Sequence, residues 1–504
     1  MIRPDLLLIN PGGRKRIYQG LSTNLSAVES PIWVGLMAEH ARRRGFSVEV
    51  LDANALELDP TEAAQHAVDC DALLTAVVVY GHNPNASTHT MPAAGDVCRA
   101  IKRLEPAQNV LLVGGHVAAL PERTLREEEV DFTCSGEGPV TIADLLGALK
   151  EPVPELDKVR GLVWSDCAVI RRNEPAPIVT DLVHDMPGMA WDLLPMERYR
   201  AHNWHCFGGR ERQPYAALYT TLGCPFRCTF CCIQAPFKSG EAAAGLDPKL
   251  NSYRRFDPEA VVAQIDWLAN EHGVSNIKIA DELFVLHKQH VTAICDGLAE
   301  LGHDLNIWAY ARVDTCYDDA MLATLRRAGV RWLAIGIESA SEHVRDGVAK
   351  GYRPDKLMAT LDRVRDHGIH VIGNYIFGLP DDDAASMRET LDFAKAVNTE
   401  FANFFSAMAY PGSALYGEAL ANGLELPTSW GGYSQHSRDC TPLPTKHLSS
   451  AEVLAFRDAA FHEYFERPEY LALVERTFGS ETVEDIRAMT AHALPRDLLA
   501  TTGV

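Results

Sequence analysis

The sequence predicts an α/β protein that contains two parallel β-sheets and a small, mainly helical C-terminal region. Over residues 1–150, short apolar segments without polar alternation are separated by helical segments, which is typical of a doubly wound parallel sheet covered on both faces. The same alternation begins again at residue 214 and gives six β/α units, short of a closed eight-stranded barrel. We therefore predict a doubly wound domain followed by a partial (β/α)6 barrel.

The first domain, residues 1–150, has five predicted strands separated by helices. Strands are predicted at 6–9, 47–51, 72–80, 109–113 and 131–134, and helices at 32–44, 60–68, 93–104 and from 140 onwards. Ligands of such sheets bind beyond the carboxyl ends of the strands. The candidate ligand-binding residues lie at the carboxyl ends of four of these strands or directly after them. They are Asn10, Pro11, Tyr80, Gly81, His82, Gly114, Gly115, His116, Gly136, Glu137 and Gly138.

The rest of the chain divides into a connector, the barrel and the C-terminal region. Residues 151–213 are predicted to be the connector because six prolines interrupt them, and they include a small hairpin over 161–164 and 169–172. Residues 214–420 form the barrel, with strands at 216–221, 276–280, 306–311, 332–337, 370–377 and 401–408 and helices at 258–272, 288–301, 318–328, 354–367 and 383–397.

Residues 421–504 are predicted to form the C-terminal region. It contains a helix over 449–465, with Ser450 as the candidate N-cap, and a second helix near 481–494. By its position, the segment 433–437 is expected to lie near the mouth of the barrel and to contribute to a substrate pocket. The alternative for this segment is a surface loop.

The charge balance and hydropathy exclude some classes of function. The chain has 47 Lys and Arg residues against 68 Asp and Glu residues, a net charge of −21, which argues against broad electrostatic binding of nucleic acid or an anionic membrane. No apolar stretch reaches the roughly 18 residues of a membrane span, and the N-terminus lacks the layout of a signal peptide. We expect a cytoplasmic protein, whose 12 cysteines serve a purpose other than disulfides.

A cysteine motif follows the first predicted barrel strand. Cys224, Cys228 and Cys231 have the spacing Cys-x3-Cys-x2-Cys, and Phe230 precedes the third cysteine. Three thiolates on one loop can bind three irons of a 4Fe-4S cluster and leave the fourth iron open to a substrate. The alternatives are a structural zinc site, which needs four ligands and would have to recruit Cys232 or the distant pair His205 and Cys206, or unligated core cysteines.

Together, this motif and the barrel over residues 214 to about 410 resemble the radical S-adenosylmethionine (SAM) superfamily. The resemblance implies that the open iron binds the amino and carboxylate groups of SAM. One electron from the cluster then cleaves SAM to a 5′-deoxyadenosyl radical, which abstracts a hydrogen atom from the substrate. The cofactors that the resemblance implies are thus a 4Fe-4S cluster and SAM.

The resemblance also implies roles for residues at the ends of the barrel strands. Arg312 and Asp281 are the implied catalytic residues, Arg312 at the SAM carboxylate and Asp281 or Glu282 at the SAM ammonium. The family's usual Gly-Gly-Glu is replaced here, so which of these two carboxylates acts stays open. The other implied cofactor-binding residues are Phe230 beside the adenine, Glu338 at the ribose, and Gly373 and Asn374 in the fifth-strand glycine motif.

Each of these residues also has a simpler interpretation. Asp281 or Glu282 could cap the helix that follows, and Arg312 could form an ion pair with Asp314. The glycines could serve only to form turns.

A doubly wound domain ahead of such a barrel resembles the cobalamin-binding branch of the superfamily. The matching segments are 51–54, 113–116 and 135–138. Residues 1–150 contain no Asp-x-His-x-x-Gly motif, which implies that cobalamin is bound without a protein imidazole and that residues 80–83 cover its lower face. His82 and His116 could be cobalt ligands or hydrogen-bonding neighbours.

The resemblance as a whole implies a cobalamin-dependent radical SAM methyltransferase. It would methylate an unactivated carbon, or phosphorus, of a small-molecule biosynthetic intermediate, with an electron donor such as flavodoxin or ferredoxin. Two alternatives stay open: a cobalamin-dependent cyclisation, rearrangement or oxidation without methyl transfer, and a non-catalytic cobalamin or redox sensor.

Overall fold

A computed structural model of the protein describes residues 3–81, 85–351 and 354–502 and contains the two predicted sheets. The first sheet has seven strands in the order β2-β1-β3-β4-β5-β6-β7. They are β1 Leu6–Asn10, β2 Val48–Asp52, β3 Leu74–Val78, β4 Val110–Val113, β5 Phe132–Cys134, β6 Leu162–Asp166 and β7 Val169–Arg172. The first five are parallel, which confirms the doubly wound fold, and the predicted hairpin β6–β7 extends this sheet antiparallel to β5.

Helices cover both faces of the first sheet, so β1, β3 and β4 are almost entirely buried. These helices and the one in the connector are α1 Arg14–Tyr18, α2 Ile32–Arg43, α3 Pro60–Cys70, α4 Ala86–Leu104, α5 Gly115–Ala119, α6 Pro121–Glu127, α7 Pro139–Leu149 and α8 Leu182–Asp185. Helix α4 begins seven residues before its predicted start because Pro92 lies inside it, where the sequence pattern favours a break. Strand β1 lies between β2 and β3, so the switch point of the sheet is at the carboxyl ends of β1 and β3.

The second sheet is an open, six-stranded parallel sheet in the order β15-β14-β13-β12-β11-β8. Its strands, with a separate two-stranded ribbon of β9 and β10, are β8 Tyr215–Leu218, β9 Thr221–Gly223, β10 Tyr253–Arg255, β11 Asn276–Ile279, β12 Asn306–Ala311, β13 Val330–Glu338, β14 His370–Phe377 and β15 Phe401–Ser406. Its helices are α9 Lys238–Ala243, α10 Pro258–His272, α11 Lys288–Leu301, α12 Asp319–Arg327, α13 Glu342–Gly347, α14 Pro354–Asp366, α15 Ala384–Val397 and α16 Ala414–Ala421. The prediction of a partial (β/α)6 barrel is confirmed.

The C-terminal region covers the edge strand β15. Its helices are α17 Ser450–Phe465, α18 Pro468–Phe478, α19 Ser480–Thr490 and α20 Asp497–Thr502. From α17, the Arg457 guanidinium donates to the Phe404 carbonyl oxygen at 2.7 Å, so the edge of the sheet is shielded. The N-cap of α17 is Ser449 rather than the predicted Ser450, because Ser449 forms a reciprocal capping box with Glu452.

Buried polar contacts join the first domain to the barrel. Lys278 of β11 and Glu29 form an ion pair of 2.7 Å, and both side chains are buried. Near β8, the Ser30 hydroxyl accepts from the Ala217 amide at 3.0 Å and donates to its carbonyl oxygen at 2.9 Å. The loops of the first sheet are thereby held against the barrel.

Candidate functional site

The cysteine motif lies on a loop that begins directly after β9. The Thr229 amide donates to the Val348 carbonyl oxygen at 3.2 Å, and the Thr229 carbonyl oxygen accepts from the Leu415 amide at 2.9 Å. Cys224, Cys228 and Cys231 are partly exposed, and burial raises the pKa of the Cys224 thiol to about 11. The loop therefore presents three thiols from an anchored backbone.

The surroundings of this loop fit a cubane cluster better than a mononuclear zinc site. Within the described ranges, no three His, Cys, Asp or Glu side chains converge on a single metal ion; a cubane needs no such convergence, because each thiolate binds a different iron. The extra ligands considered for zinc have other partners. Cys232 donates to the Asn85 side-chain oxygen at 3.0 Å, and His205 contacts the carbonyl oxygen of Asn306 at 2.9 Å, at the amino end of β12.

A cavity of about 340 Å³ lies at the carboxyl ends of the barrel strands, and we call it the central cavity. It extends from the cysteine loop to the first domain, where Tyr18 and His89 line it. The predicted residues that line it are Phe230, Cys231, Glu282, Arg312, Glu338 and Asn374. Ser434, Gln435 and His436 also line it, so the segment 433–437 does lie at the barrel mouth as expected.

The two adjacent carboxylates after β11 have different surroundings. Asp281 is fully buried, and it accepts from the Thr220 amide and hydroxyl at 2.6 and 2.5 Å and from the Thr221 amide at 3.0 Å. It thus fixes the turn between β8 and β9 and does not line the central cavity. Glu282 does line it, and burial raises the pKa of Glu282 to about 8.

Three charged side chains face the same part of the central cavity. Arg312 forms the ion pair with Asp314 that was considered as its alternative role, at 3.0 and 3.1 Å, and stacks over the Phe226 ring at 4.0 Å, yet it also lines the cavity. Glu338 pairs with Lys350 at 2.8 Å. Burial is the largest single effect on Lys350 and lowers its pKa, but the charge and hydrogen bond of Glu338 together with the charge of Cys228 outweigh it, so the pKa of Lys350 is raised.

The glycine motif of β14 contributes one residue to the cavity wall. Asn374 lines the cavity, and its side-chain oxygen accepts from the Asn403 amide group at 2.9 Å. Gly373 does not line it; a Cβ at this position would come within 2.8 Å of the Tyr375 ring. Gly373 therefore has a packing reason to be glycine in this structure.

The predicted ligand-binding loops of the first domain line two smaller pockets that face the barrel. A pocket of about 70 Å³ at the switch point, the switch-point pocket, is lined by Asn10, Pro11 and Gly81. A second pocket, of about 40 Å³, is lined by Tyr80, Gly81, Gly115 and Glu137 from the first domain and by Arg254 and Glu282 from the barrel. The two pockets share Gly81, so both lie beside the carboxyl end of β3.

Some predicted residues of the first domain have structural partners. Glu137 forms a bidentate ion pair with Arg254 of β10, at 2.5 and 3.0 Å. His116 is buried with its ring edge-on to Trp430, and burial lowers the pKa of His116 to about 3.

The remaining glycines of these loops are closely packed, and one histidine is not described. A Cβ at Gly114 would collide with the Val79 carbonyl group, and one at Gly138 (φ +116°) would meet Met37. The carbonyl oxygen of Gly136 accepts from the Cys134 thiol at 3.5 Å. His82 lies outside the described residues.

Two family models match the chain in the regions of the two sheets. Residues 218–394 match the radical SAM superfamily, and residues 18–146 match the B12 binding domain. The chain therefore combines a radical SAM domain with a B12-binding domain. Its cofactors are accordingly a 4Fe-4S cluster, SAM and cobalamin.

This radical SAM enzyme is similar along most of its length to an uncharacterized methyltransferase of Pyrococcus horikoshii, at 27% identity over 467 residues that cover 92% of this chain and 93% of the relative. It is also 27% identical over 338 residues, 66% of this chain and 61% of the relative, to an anaerobic magnesium-protoporphyrin IX monomethyl ester cyclase of Synechocystis. Among solved structures, the radical S-adenosylmethionine methyltransferase TsrM of Kitasatospora setae, with cobalamin and a 4Fe-4S cluster bound, has the same fold. The TM-score is 0.66 at 17% identity, over 96% of this chain and 99% of that one.

The described residues of this radical SAM enzyme fit two of its cofactors, the cluster and SAM. The three thiols suit a cluster with one open iron. Next to Cys231, the central cavity carries the carboxylate of Glu282 and the cations of Arg312 and Lys350, which complement the ammonium and carboxylate groups of SAM. None of the described helices is both long enough and apolar enough to cross a membrane.

Sequence reasoning missed some residues that line the central cavity of this radical SAM enzyme. Lys350 lies 12 positions beyond Glu338 and belongs to none of the motifs, so only the fold brings it to the cavity. Gln435, by contrast, belongs to the segment 433–437 that was expected here, and two hydrogen bonds of 2.9 Å fix it to the Ser406 backbone at the end of β15. Tyr310, one residue before the end of β12, could have been found from its place on a predicted strand.

Proposed function

We propose that this enzyme is a cobalamin-dependent radical SAM methyltransferase that acts on an unactivated carbon, or phosphorus, of a small-molecule biosynthetic intermediate. The observation that carries the proposal is that the cysteine loop, a SAM-complementary set of charges and the loops of the B12-binding domain all border the central cavity or the pockets next to it. When bound, the cluster supplies the electron that cleaves SAM, and cobalamin supplies the methyl group.

Each residue of the barrel mouth has a proposed task in binding. Cys224, Cys228 and Cys231 hold the cluster. Glu282 accepts hydrogen bonds from the SAM ammonium, because it reaches the cavity while Asp281 holds the turn between β8 and β9. Asp281 is thereby a positioning residue.

The cations and the remaining wall residues orient the other groups of SAM. Arg312 and Lys350 bind its carboxylate, Glu338 binds the ribose, and Phe230 and Asn374 lie along the adenine. Glu338 and Lys350 already form an ion pair, so their side chains are held in place before SAM binds. This preorganisation lowers the entropic cost of binding.

The far part of the central cavity is the proposed substrate site. Met408 and Tyr410, which pack in one cluster with Tyr433, give this part apolar walls, while Gln435 and His436 supply polar groups near the first domain. Apolar walls help to keep water from a reactive centre, which radical chemistry requires. The few polar groups then orient a small substrate.

We further infer that a small acidic electron-transfer protein of the flavodoxin or ferredoxin type docks beside the cysteine loop. Phe226 and Leu250 are 37% and 62% exposed there, and Arg227 and Lys249 are exposed next to them. The Asn251 side chain donates to the Phe226 carbonyl oxygen at 2.7 Å, which holds the two segments together. An apolar and cationic surface on a chain with net charge −21 favours an acidic partner at this place.

A second candidate function keeps both cofactors but omits methyl transfer. The similarity over 66% of this chain to a magnesium-protoporphyrin IX monomethyl ester cyclase supports it, because that relative is named for ring closure rather than for methyl transfer. The sensor alternative is less favoured, because the three cysteines lie beside a cavity with charges suited to SAM.

The test uses the full-length protein, reconstituted anaerobically with iron, sulfide and cobalamin. After SAM and a strong reductant are added, S-adenosylhomocysteine reports loss of the methyl group from SAM, and 5′-deoxyadenosine reports its reductive cleavage. The proposal expects about four irons and one cobalt per chain and both products. Cys228→Ala is the matched control and should form no 5′-deoxyadenosine.

The outcomes separate the candidate functions. Formation of 5′-deoxyadenosine without S-adenosylhomocysteine would support cyclisation or rearrangement and contradict methyl transfer. Bound cobalamin without either product would support the sensor.

A further inference from the structure

Arg14 is a buried cation with unused hydrogen-bond donors. Its side chain is only 9% exposed, and Nη2 pairs with Glu57 Oε1 at 2.7 Å. Nε and Nη1 are buried and make no hydrogen bond within the described part of the chain. A buried donor without a partner costs about 1–3 kcal/mol, and more when the group is charged, so a ligand that supplies acceptors to Nε and Nη1 would be favoured here.

The charges around Arg14 increase its affinity for an anion. Burial is the main cause that lowers the pKa of Arg200 and Arg212. The positive charge of Arg14 lowers both further, so the three guanidinium groups lie close together. Arg200 donates to the carbonyl oxygens of Ser22 and Thr23, and Arg212 donates only to backbone carbonyl oxygens. Neither forms an ion pair with a carboxylate of the described chain, so an oxyanion here would relieve their mutual repulsion.

The position of Arg14 points to the ligand. Arg14 lines the switch-point pocket together with Asn10, Pro11 and Gly12, directly beyond the carboxyl end of β1. The switch point is where a doubly wound sheet binds its ligand. The carboxylate on the pocket wall, Glu29, is paired with Lys278 at 2.7 Å, so it leaves the guanidinium of Arg14 as the group suited to an anion.

We propose that Arg14 binds the phosphodiester of the nucleotide tail of cobalamin. The pocket holds about 70 Å³, which is enough for a phosphate group but too small for a corrin ring. A guanidinium binds phosphate oxygens through charge-assisted N–H groups, and Nε and Nη1 of Arg14 are two such donors that have no partner in the described chain. The proposal rests on cobalamin binding and requires no methyl transfer.

The test compares cobalamin with cobinamide, which has the same corrin ring but lacks the phosphodiester and the nucleotide base. Dissociation constants of hydroxocobalamin and cobinamide are measured by equilibrium dialysis on the full-length protein without SAM. Arg14→Met should weaken cobalamin binding on the order of 10- to 100-fold, the range for a charge-assisted hydrogen bond. Cobinamide binding should change less than about twofold. Arg14→Lys should restore part of the affinity for cobalamin.

Lys15→Met is the matched control, because Lys15 is on the same short helix but is exposed. It should leave both constants unchanged. Equal weakening of both ligands by Arg14→Met would overturn the proposal and indicate that Arg14 shapes the pocket or contacts the corrin. Unchanged binding of both would also overturn the proposal, and would indicate that Arg14 binds an anionic group of the substrate instead. Because these constants need no turnover, they can fail while the methyltransferase assay succeeds, and the reverse.

Discussion

Replacing Glu137 by glutamine should weaken the contact between the first domain and the barrel by about 3 kcal/mol. Arg254 and Glu137 form a bidentate ion pair, with N···O distances of 2.5 and 3.0 Å, and their side chains are 9% and 4% exposed. Removal of one partner from such a pair costs about 3–5 kcal/mol, because the other charge stays buried without its counter-charge. Arg254 keeps its hydrogen bond of 2.6 Å to the Val179 carbonyl oxygen, so we expect the lower end of that range.

Such a loss changes the equilibrium between docked and undocked halves by roughly 100-fold. Limited proteolysis at a urea concentration below global unfolding reports the population of the open form, so cleavage within the connector should accelerate by a similar factor. Glu155→Gln is the matched control: Glu155 pairs with Lys158 at 2.7 Å, but both side chains are mostly exposed. Its proteolysis should match that of the wild type.

The double variant Glu137→Met, Arg254→Met adds a check on the reasoning. It removes both charges together and should recover part of the resistance that Glu137→Gln loses. The reasoning would be refuted by a Glu137→Gln protein that resists proteolysis like the wild type but binds cobalamin poorly. That result would make Glu137 a cofactor ligand, as the sequence predicts, rather than a link between the two halves.

Three further predictions concern the cluster, SAM and pH. Cys231→Ala should abolish bound iron after reconstitution, whereas Cys232→Ala, at the adjacent cysteine that donates to Asn85, should keep about the wild-type iron content and absorption spectrum. Lys350→Met should weaken SAM binding on the order of 10-fold by calorimetry, since a buried cation that lines the cavity is lost; an unchanged dissociation constant would argue against its role. Burial lowers the pKa of His116 in the folded protein to about 3, whereas in the unfolded chain it stays near 6.5. As the pH falls below about 6.5, the unfolded chain therefore binds a proton that the folded protein does not, and the protein loses stability until the pH nears 3. Between pH 7.5 and 5.5, the free energy of unfolding of the wild-type apoprotein should therefore fall by on the order of 1 kcal/mol more than that of His116→Gln. Thermal unfolding at the two pH values measures both falls, and equal falls would contradict the prediction.

The elements of the fold were predictable because their signals are local. Each predicted strand of the two sheets has an observed counterpart, since a run of apolar residues between turn residues marks a buried strand. At two boundaries that differ, a single residue explains the difference: Pro92 conceals the start of α4, and Ser449 and Ser450 are adjacent candidates for one cap. Several short helices, α5 and α16 among them, were missed because five to eight residues show no clear period, and the 11-residue α18 was missed as well.

The candidate site was only partly predictable. The cysteine spacing pointed to the cluster, but the choice between Asp281 and Glu282 depended on which side chain turns toward the cavity at the end of β11. That orientation follows from the hydrogen bonds between Asp281 and the turn after β8, which lies 60 residues away along the chain. Contacts this far apart leave no periodic signal in one sequence.

By itself, the sequence determined the two sheets of alternating strands and helices, the cysteine loop and the family resemblance, because all three depend on residues near one another in the chain. Only the tertiary structure decided that Lys350 pairs with Glu338 at the cavity wall, that Glu137 pairs with Arg254, and that Arg14 is buried with unused donors. These properties depend on burial and on charges brought together from distant segments. Desolvation and Coulomb interaction act through space, so they become defined only when the sheets pack against each other.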